Sequence, residues 1–290
     1  MTNYIDLGNT QIAHRQIGTG PDILFIHGWP LHSETFRYIV PEMSKHFTCH
    51  LVDLPGAGKT KWGKGTSITM RAHTKTLQQV VDKLRLETYG ILSHDSGGIM
   101  ARYLAASHQE KVVGLVLGNT EFPNHRSDTL LRFVNGLSLP GMELLLPIVL
   151  RSKWMRKSAI FGGSLFYDID QVEGEFGDLF LRNMITDREA VAGQLKLIRV
   201  WDWEYIAGLS AIHAELKIPV QLIWGEDDAI FPVKYAKEMQ QEFGGPTELH
   251  VLTKTKLFPH EEKPAIFAEH AIRFFEKRFE PQMTPIDKGR

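Results

Sequence analysis

Cysteine is nearly absent from the 290 residues. Cys49 stands alone, which excludes a disulfide framework and a cysteine-rich zinc module. An excess of charge of one sign is missing too: 33 Lys and Arg stand against 34 Asp and Glu, for a net charge of -1. Such a balance excludes a general electrostatic hold on nucleic acid or acidic membranes. No uninterrupted apolar run approaches the ~18 residues of a spanning helix. The polar N-terminus, MTNYIDLGNTQIAHRQIG, lacks the apolar stretch of a secretion signal. These absences describe a cytoplasmic protein, monomer or homodimer, with neither nucleic acid nor membrane among its expected partners.

What is present is ordinary globular material, 43% hydrophobic and 23% charged. Short apolar runs alternate with amphipathic stretches. Strands are expected at Tyr4–Ile12, Gln11–Ile17, Asp22–Ile26, Phe47–Val52, Tyr89–Leu92 and Val112–Leu117. Helices are expected at Ile68–Leu86 and Gly97–Ser107. The rhythm returns with strands at Pro219–Trp224 and Glu248–Leu252 and helices at Val233–Phe243 and Pro264–Phe279. The last ten residues read as a loose tail. Strand–helix alternation of this kind argues for an α/β fold, a mainly parallel sheet flanked by helices. Residues 121–215 break it. They are rich in Leu, Phe, Met and Trp and read as a helical insertion dividing a core of residues 1–120 and 216–290.

Three segments carry chemistry, and one is a decoy. Gly56-Ala57-Gly58-Lys59-Thr60 ends like a phosphate-binding loop, but Asp53 stands where that pattern needs Gly, so the segment is a tight turn. In Ile91-Leu92-Ser93-His94-Asp95-Ser96-Gly97-Gly98, a strand runs directly into a helix through small residues, the setting of a nucleophile elbow. Such a turn needs small residues two before and two after the nucleophile. Centring on Asp95 places Ser93 and Gly97 there; centring on Ser96 would place His94 in a slot too small for it. Asp95 is therefore the candidate nucleophile, with the Ser96 N–H behind it. His27-Gly28-Trp29-Pro30 closes the Asp22–Ile26 strand, where a Gly-bearing turn can aim the Trp29 N–H at an oxyanion. In Ile223-Trp224-Gly225-Glu226-Asp227-Asp228, an acid just beyond a buried strand can orient a histidine.

Together these segments resemble the α/β-hydrolase superfamily, whose chain order is nucleophile, acid, histidine. His-Gly-x-Pro with His-Asp-x-Gly-Gly looks like its epoxide hydrolase and haloalkane dehalogenase branch. The resemblance covers about residues 1–120 and 216–280 and implies an α/β-hydrolase fold in which the insertion is a helical cap. It implies an Asp nucleophile at Asp95, an acid at Asp228, and an oxyanion hole made by the N–H groups of Trp29 and Ser96.

The chain departs from that branch at its histidine. Aligning Glu262 and Pro264 with the branch's closing Gly-His-x-x-x-x-Glu-x-Pro puts Leu257 at the base position. His260 lies three residues on, and the expectation is that a rebuilt loop makes it the base. Glu121, closing Gly118-Asn119-Thr120-Glu121, is the alternative acid. Trp29 and Ser96 stand where many dehalogenases have the Asn and Trp that hold halide, which lowers the halide reading and leaves epoxide opening or an unassigned hydrolysis. Trp203, Tyr205 and Tyr167 are the expected pocket wall, with either Tyr able to donate a proton to an epoxide oxygen. A metal site at His46, Cys49 and His50 is not expected, since the segment reads as a strand.

An Asp nucleophile attacks an electrophilic sp3 carbon and forms an alkyl-enzyme ester. Water activated by the base then releases it. No metal or organic cofactor is called for, and an apolar cap implies a small, largely apolar organic substrate. The alternatives are an ester hydrolase using Ser96, and a ligand-binding homologue that does not turn over.

Overall fold

The computed structural model describes residues 2–159 and 161–283. The strands are β1 (Asn3–Asp6), β2 (Thr10–Ile17), β3 (Asp22–Ile26), β4 (Thr48–Val52), β5 (Lys61–Trp62), β6 (Tyr89–His94), β7 (Val112–Gly118), β8 (Val220–Gly225) and β9 (Thr247–Leu252). They form one sheet in the order β1-β2-β4-β3-β6-β7-β8-β9, with β5 paired to β2. β2 pairs antiparallel with β1 and β4; from β4 through β3 to β9 every pairing is parallel.

The parallel strands are apolar because both their faces are covered. β6 and β8 are buried from end to end, and β3 from its second residue onward. On one face Leu77, Val80 and Val81 of the Met70–Leu84 helix pack with Leu104 and Ala105 of the Gly97–Ser107 helix. On the other, Phe267, Phe274 and Phe275 of the Pro264–Met283 helix pack with Phe36 and Phe47. The first helix begins where the Thr69 side chain accepts the Ala72 N–H, and ends at Arg85 in the left-handed region (φ 56°).

Three local features differ from the sequence expectations. A turn at Leu7–Asn9 separates β1 from β2 where one strand was expected to run on to Ile12. The short helices Ser33–Phe36 and Val40–Met43 and strand β5 are too brief to leave a periodic pattern. The final helix continues to Met283, taking in residues expected to be tail; the rest of that tail lies outside the described residues.

The chain between β7 and β8 is helical, from Asp128 to Glu215. Ser127 anchors its start. The hydroxyl accepts the Leu130 N–H at 3.0 Å and donates to the Ile230 carbonyl at 2.7 Å, tying the insertion to the loop after β8. Strand order reverses at β3, which has β4 on one side and β6 on the other. The crevice beyond the carboxyl ends of β3 and β6 is therefore where a parallel sheet of this kind presents a ligand site.

Candidate active site

Asp95 is the first residue past β6 and sits in the left-handed region with φ 54°. A non-glycine residue stays there only when its surroundings over-determine it. The Asp95 N–H donates to the Asn119 carbonyl at 2.9 Å, while its own carbonyl accepts the Gly98 N–H and the Thr120 hydroxyl, both at 2.8 Å. Two glycines make the turn possible. A Cβ on Gly28 would fall 2.4 Å from Asp95 Cβ, and one on Gly97 would fall 2.5 Å from the Ile26 carbonyl oxygen. The small residues around the elbow are thus a steric requirement of bringing the β3 and β6 ends together.

That closeness aims two backbone donors at one atom. Trp29 N lies 3.0 Å and Ser96 N 2.6 Å from Asp95 Oδ1. Among the described residues, no backbone donor engages Asp95 Oδ2, and the Ser96 hydroxyl also interacts with the carboxylate. Burial pushes the Asp95 carboxyl up to about 6, against the pull of these donors. It remains ionised at neutral pH.

Asp228 is equally buried and equally well held. Its Oδ1 accepts the N–H groups of Ile230 (2.7 Å) and Phe231 (3.0 Å), and its Oδ2 accepts Asn119 Nδ2 at 2.5 Å. Burial raises it to about 6. Among the described residues, no histidine bonds to it.

His260 is not placed as a base for Asp95, and here the sequence expectation is corrected. Glu262 pins the loop: its two carboxylate oxygens accept the N–H groups of Lys256 (2.7 Å) and Tyr167 (2.6 Å). The short helix Pro259–Glu262 then carries His260 into the core, with Nε2 2.7 Å from Thr35 Oγ1 and its ring 4.4 Å from that of His94. His260 is fully buried, lines no cavity with Asp95, and is held well below its ordinary pKa by burial. Leu257 keeps the aligned position, and its side chain lines the same cavity as Asp95. Its N–H donates to the Leu165 carbonyl and its carbonyl accepts from His94 Nε2 at 2.6 Å.

Glu121 also lines that cavity. It is 1% exposed; its Oε2 lies 3.0 Å from Thr120 Oγ1, and its Oε1 has no hydrogen-bond partner among the described residues. Burial, reinforced by the negative charge of Asp95, pushes its carboxyl up to about 8, so it is mainly protonated at neutral pH. Beneath it lies fully buried Arg102, which donates to the Thr120 hydroxyl (3.1 Å) and the Glu121 carbonyl (3.0 Å). Sequence reading missed Arg102 and Asn119. Arg102 sits on an otherwise apolar helix, and Asn119 gains its role only once β8 docks.

The cavity, about 400 Å³, is large enough for a small to medium ligand and is walled mainly by apolar cap residues such as Phe133, Leu146 and Phe176. The three aromatic residues expected to line it do not, and each has a reason. The Tyr205 ring stacks 3.8 Å from Tyr103 and its hydroxyl donates to Thr74 Oγ1. Trp203 lies under the Arg126 guanidinium, 4.5 Å from the ring centre. Tyr167 is 50% exposed. Trp201 lines the cavity instead, and its buried Nε1 has no hydrogen-bond partner among the described residues. His46 bonds Glu276, His50 bonds Asp22, and no cluster of potential metal ligands occurs among the described residues.

A parallel sheet carrying a strained residue at the strand–helix turn of its central crevice, with helices inserted after β7, is the α/β-hydrolase fold. Residues 21–145 match the family model described as alpha/beta hydrolase fold. An uncharacterized protein of Mycobacterium tuberculosis is 27% identical over 270 residues, covering 91% of this chain and 78% of the relative. A haloalkane dehalogenase from Bradyrhizobium elkani superposes with a TM-score of 0.81 at 18% identity, covering 97% of this chain and 99% of the other. A meta-cleavage product hydrolase variant does so with a TM-score of 0.80 at 17% identity, covering 95% and 98%.

Proposed function

We propose that this protein is a hydrolase that opens an epoxide, or displaces a leaving group at another sp3 carbon, through an ester on Asp95. One observation carries the reading: the N–H groups of Trp29 and Ser96 both donate to Asp95 Oδ1. Oδ2 is left to attack carbon, and Oδ1 sits where negative charge collects when the ester is later attacked. Ser96 is less well placed as a nucleophile. Its Oγ accepts the Trp29 N–H, and among the described residues no histidine bonds to it.

Glu121 is the proton carrier in this reading. Asp95 forms a C–O bond to the epoxide carbon, the carbon–ring-oxygen bond breaks, and the new alkoxide takes the Glu121 proton. The Glu121 carboxylate then removes a proton from water as that water adds to the Asp95 carboxyl carbon. Collapse breaks the bond to the alkoxide, which takes the proton of the added hydroxyl. Asp95 returns as carboxylate and Glu121 as acid, with one water consumed and a diol released. A halide departs without a proton, so a neutral Glu121 supports the epoxide over the haloalkane. The Trp201 Nε1–H is a second donor for the leaving oxygen.

A second reading rests on Leu257. With no imidazole beside the ester, the protein captures the alkyl group and keeps it. Mass spectrometry of the intact protein, run alongside product assays on epoxides, haloalkanes and aryl esters, separates the readings. Turnover predicts diol and a transient adduct, both lost in Asp95→Asn. A permanent adduct supports capture. Ester cleavage that survives Asp95→Asn and is lost in Ser96→Ala overturns both. A primary alkyl halide tests Glu121 separately: Glu121→Gln is expected to form the adduct normally and release it at least ~100-fold more slowly.

A further inference from the structure

The cap contains a helix that is apolar on the wrong side. Met142–Arg151 reads MELLLPIVLR, and its inward residues Met142, Leu146, Val149 and Leu150 line the Asp95 cavity. Its outward residues are apolar as well: Leu144 is 66% exposed, Leu145 50% and Ile148 61%. Trp154, on the adjoining Lys153–Arg156 turn, is 77% exposed, and Leu139 just before the helix is 58% exposed. A helix that is apolar all round normally lies inside a protein, and a continuous exposed apolar surface marks something that covers it.

The charges around this surface say what covers it. Residues 139–157 contain four basic residues, Arg151, Lys153, Arg156 and Lys157, and one acid, Glu143. Glu143 is taken by Arg199, while Glu173 and Asp170 pair with Arg156 and Lys157. Arg151 and Lys153 are exposed and form no close ion pair among the described residues; Arg151 donates to the Ile185 carbonyl, and Lys153 lies within electrostatic reach of Asp170 and Glu173. Leucine and isoleucine tips, a tryptophan, and unpaired bases at the edge are the composition of a helix that lies in a membrane interface. Among the described residues no single helix is both long and apolar enough to cross a membrane; the Asp128–Ser138 and Met142–Arg151 helices pass that test only together and are bent by 116° at their junction.

We infer that the outer face of the Met142–Arg151 helix, with Trp154, docks on an anionic lipid surface. Leu139 lines the cavity and is also part of the exposed patch, so the docked face and the cavity wall are continuous. An apolar substrate dissolved in the lipid would meet the cavity without crossing water. This departs from the expectation of no membrane partner drawn from net charge, because a local patch does not register in a chain-wide sum. The inference does not depend on the chemistry at Asp95.

Co-sedimentation of the full chain with vesicles tests it, using phosphatidylcholine alone and phosphatidylcholine mixed with phosphatidylglycerol. Binding to the mixed vesicles is expected, weaker at high salt, with little to the neutral ones. Arg151→Glu with Lys153→Glu should weaken binding by at least ~10-fold, at about fivefold per basic residue removed. Leu144→Ser with Ile148→Ser should weaken it similarly at unchanged thermal melting, since neither side chain is buried. No binding to the mixed vesicles at low salt overturns the inference, as does binding that both variants leave unchanged. A dimer that the Leu144→Ser/Ile148→Ser variant dissociates would make a second copy the occupant, and overturns it equally.

Discussion

The turn that carries Asp95 and the loop that carries Leu257 close over the same cavity under opposite constraints. The turn after β6 is over-determined: Gly28 and Gly97 admit no side chain, and backbone donors converge on Oδ1. The loop after β9 is held mainly through its backbone, with Glu262 accepting the Lys256 N–H, Leu165 accepting the Leu257 N–H and His94 bonding the Leu257 carbonyl, so the identity of the side chain at Leu257 is not what keeps its shape. In the proposed two-step hydrolysis, the first half is therefore built into geometry that tolerates little change. The second half depends on side chains that the fold leaves replaceable.

The largest expected effect breaks the well-determined side. Asp95→Asn should lower epoxide opening by ~10⁴-fold or more, measured as single-turnover adduct formation. Restoring the other side is next. Leu257→His puts an imidazole where the cavity wall now is, and should speed ester release by ~10²–10⁴-fold with adduct formation little changed. A release rate that stays flat would show that the loop does not aim that position at Asp95.

The pH dependence sharpens the comparison further. Alkylation needs Asp95 ionised, so the rate should fall below about 6. Epoxide opening also needs Glu121 protonated, so it should fall again above about 8. These limbs belong to the interacting pair. An alkyl halide should show only the acid limb in adduct formation. For stability the sign is opposite to that of an ordinary salt-bridged carboxylate. A raised carboxyl pKa means that the native state holds protons the unfolded chain has lost, so stability falls as pH rises from the usual carboxylate range to above about 8. Glu121→Gln should accordingly melt higher than the parent at pH 9, and the gap should narrow at pH 5. The smallest functional effect is expected at His260. His260→Phe should leave the chemistry within a few-fold, yet cost roughly 0.5–1.5 kcal/mol in urea unfolding by removing the 2.7 Å bond to Thr35, whose hydroxyl keeps Glu261 as a partner.

The elbow was legible in the sequence because it is a local steric problem. Ser93, Gly97 and a strand running straight into a helix already select Asp95. The parallel sheet was legible for a similar reason, since doubly covered strands must be continuously apolar. The histidine was not. Whether His260 faces Asp95 or Thr35 depends on how the short Pro259–Glu262 helix turns, and Glu262 decides that through contacts with Tyr167, 95 residues away. The cap aromatics failed for another reason. Its helices carry apolar residues on more than one side, so periodicity could not say that Trp201, and neither Trp203 nor Tyr205, turns toward the cavity.

Asn119 has a consequence for how the molecule assembles. Its backbone carbonyl fixes the Asp95 N–H, while its side chain accepts from Gly225 N at 3.0 Å and donates to Asp228 across a sequence separation of 109 residues. Everything between, the whole cap, is a loop that must close before those two contacts form. Closing it carries an entropic cost ahead of any gain, which makes such contacts late events in folding. During synthesis the first 120 residues can thus shape the elbow while Asp228 is still unmade. The surroundings of Asp95 mature only when β8 arrives, and the finished site reports that the two halves of the sheet have joined.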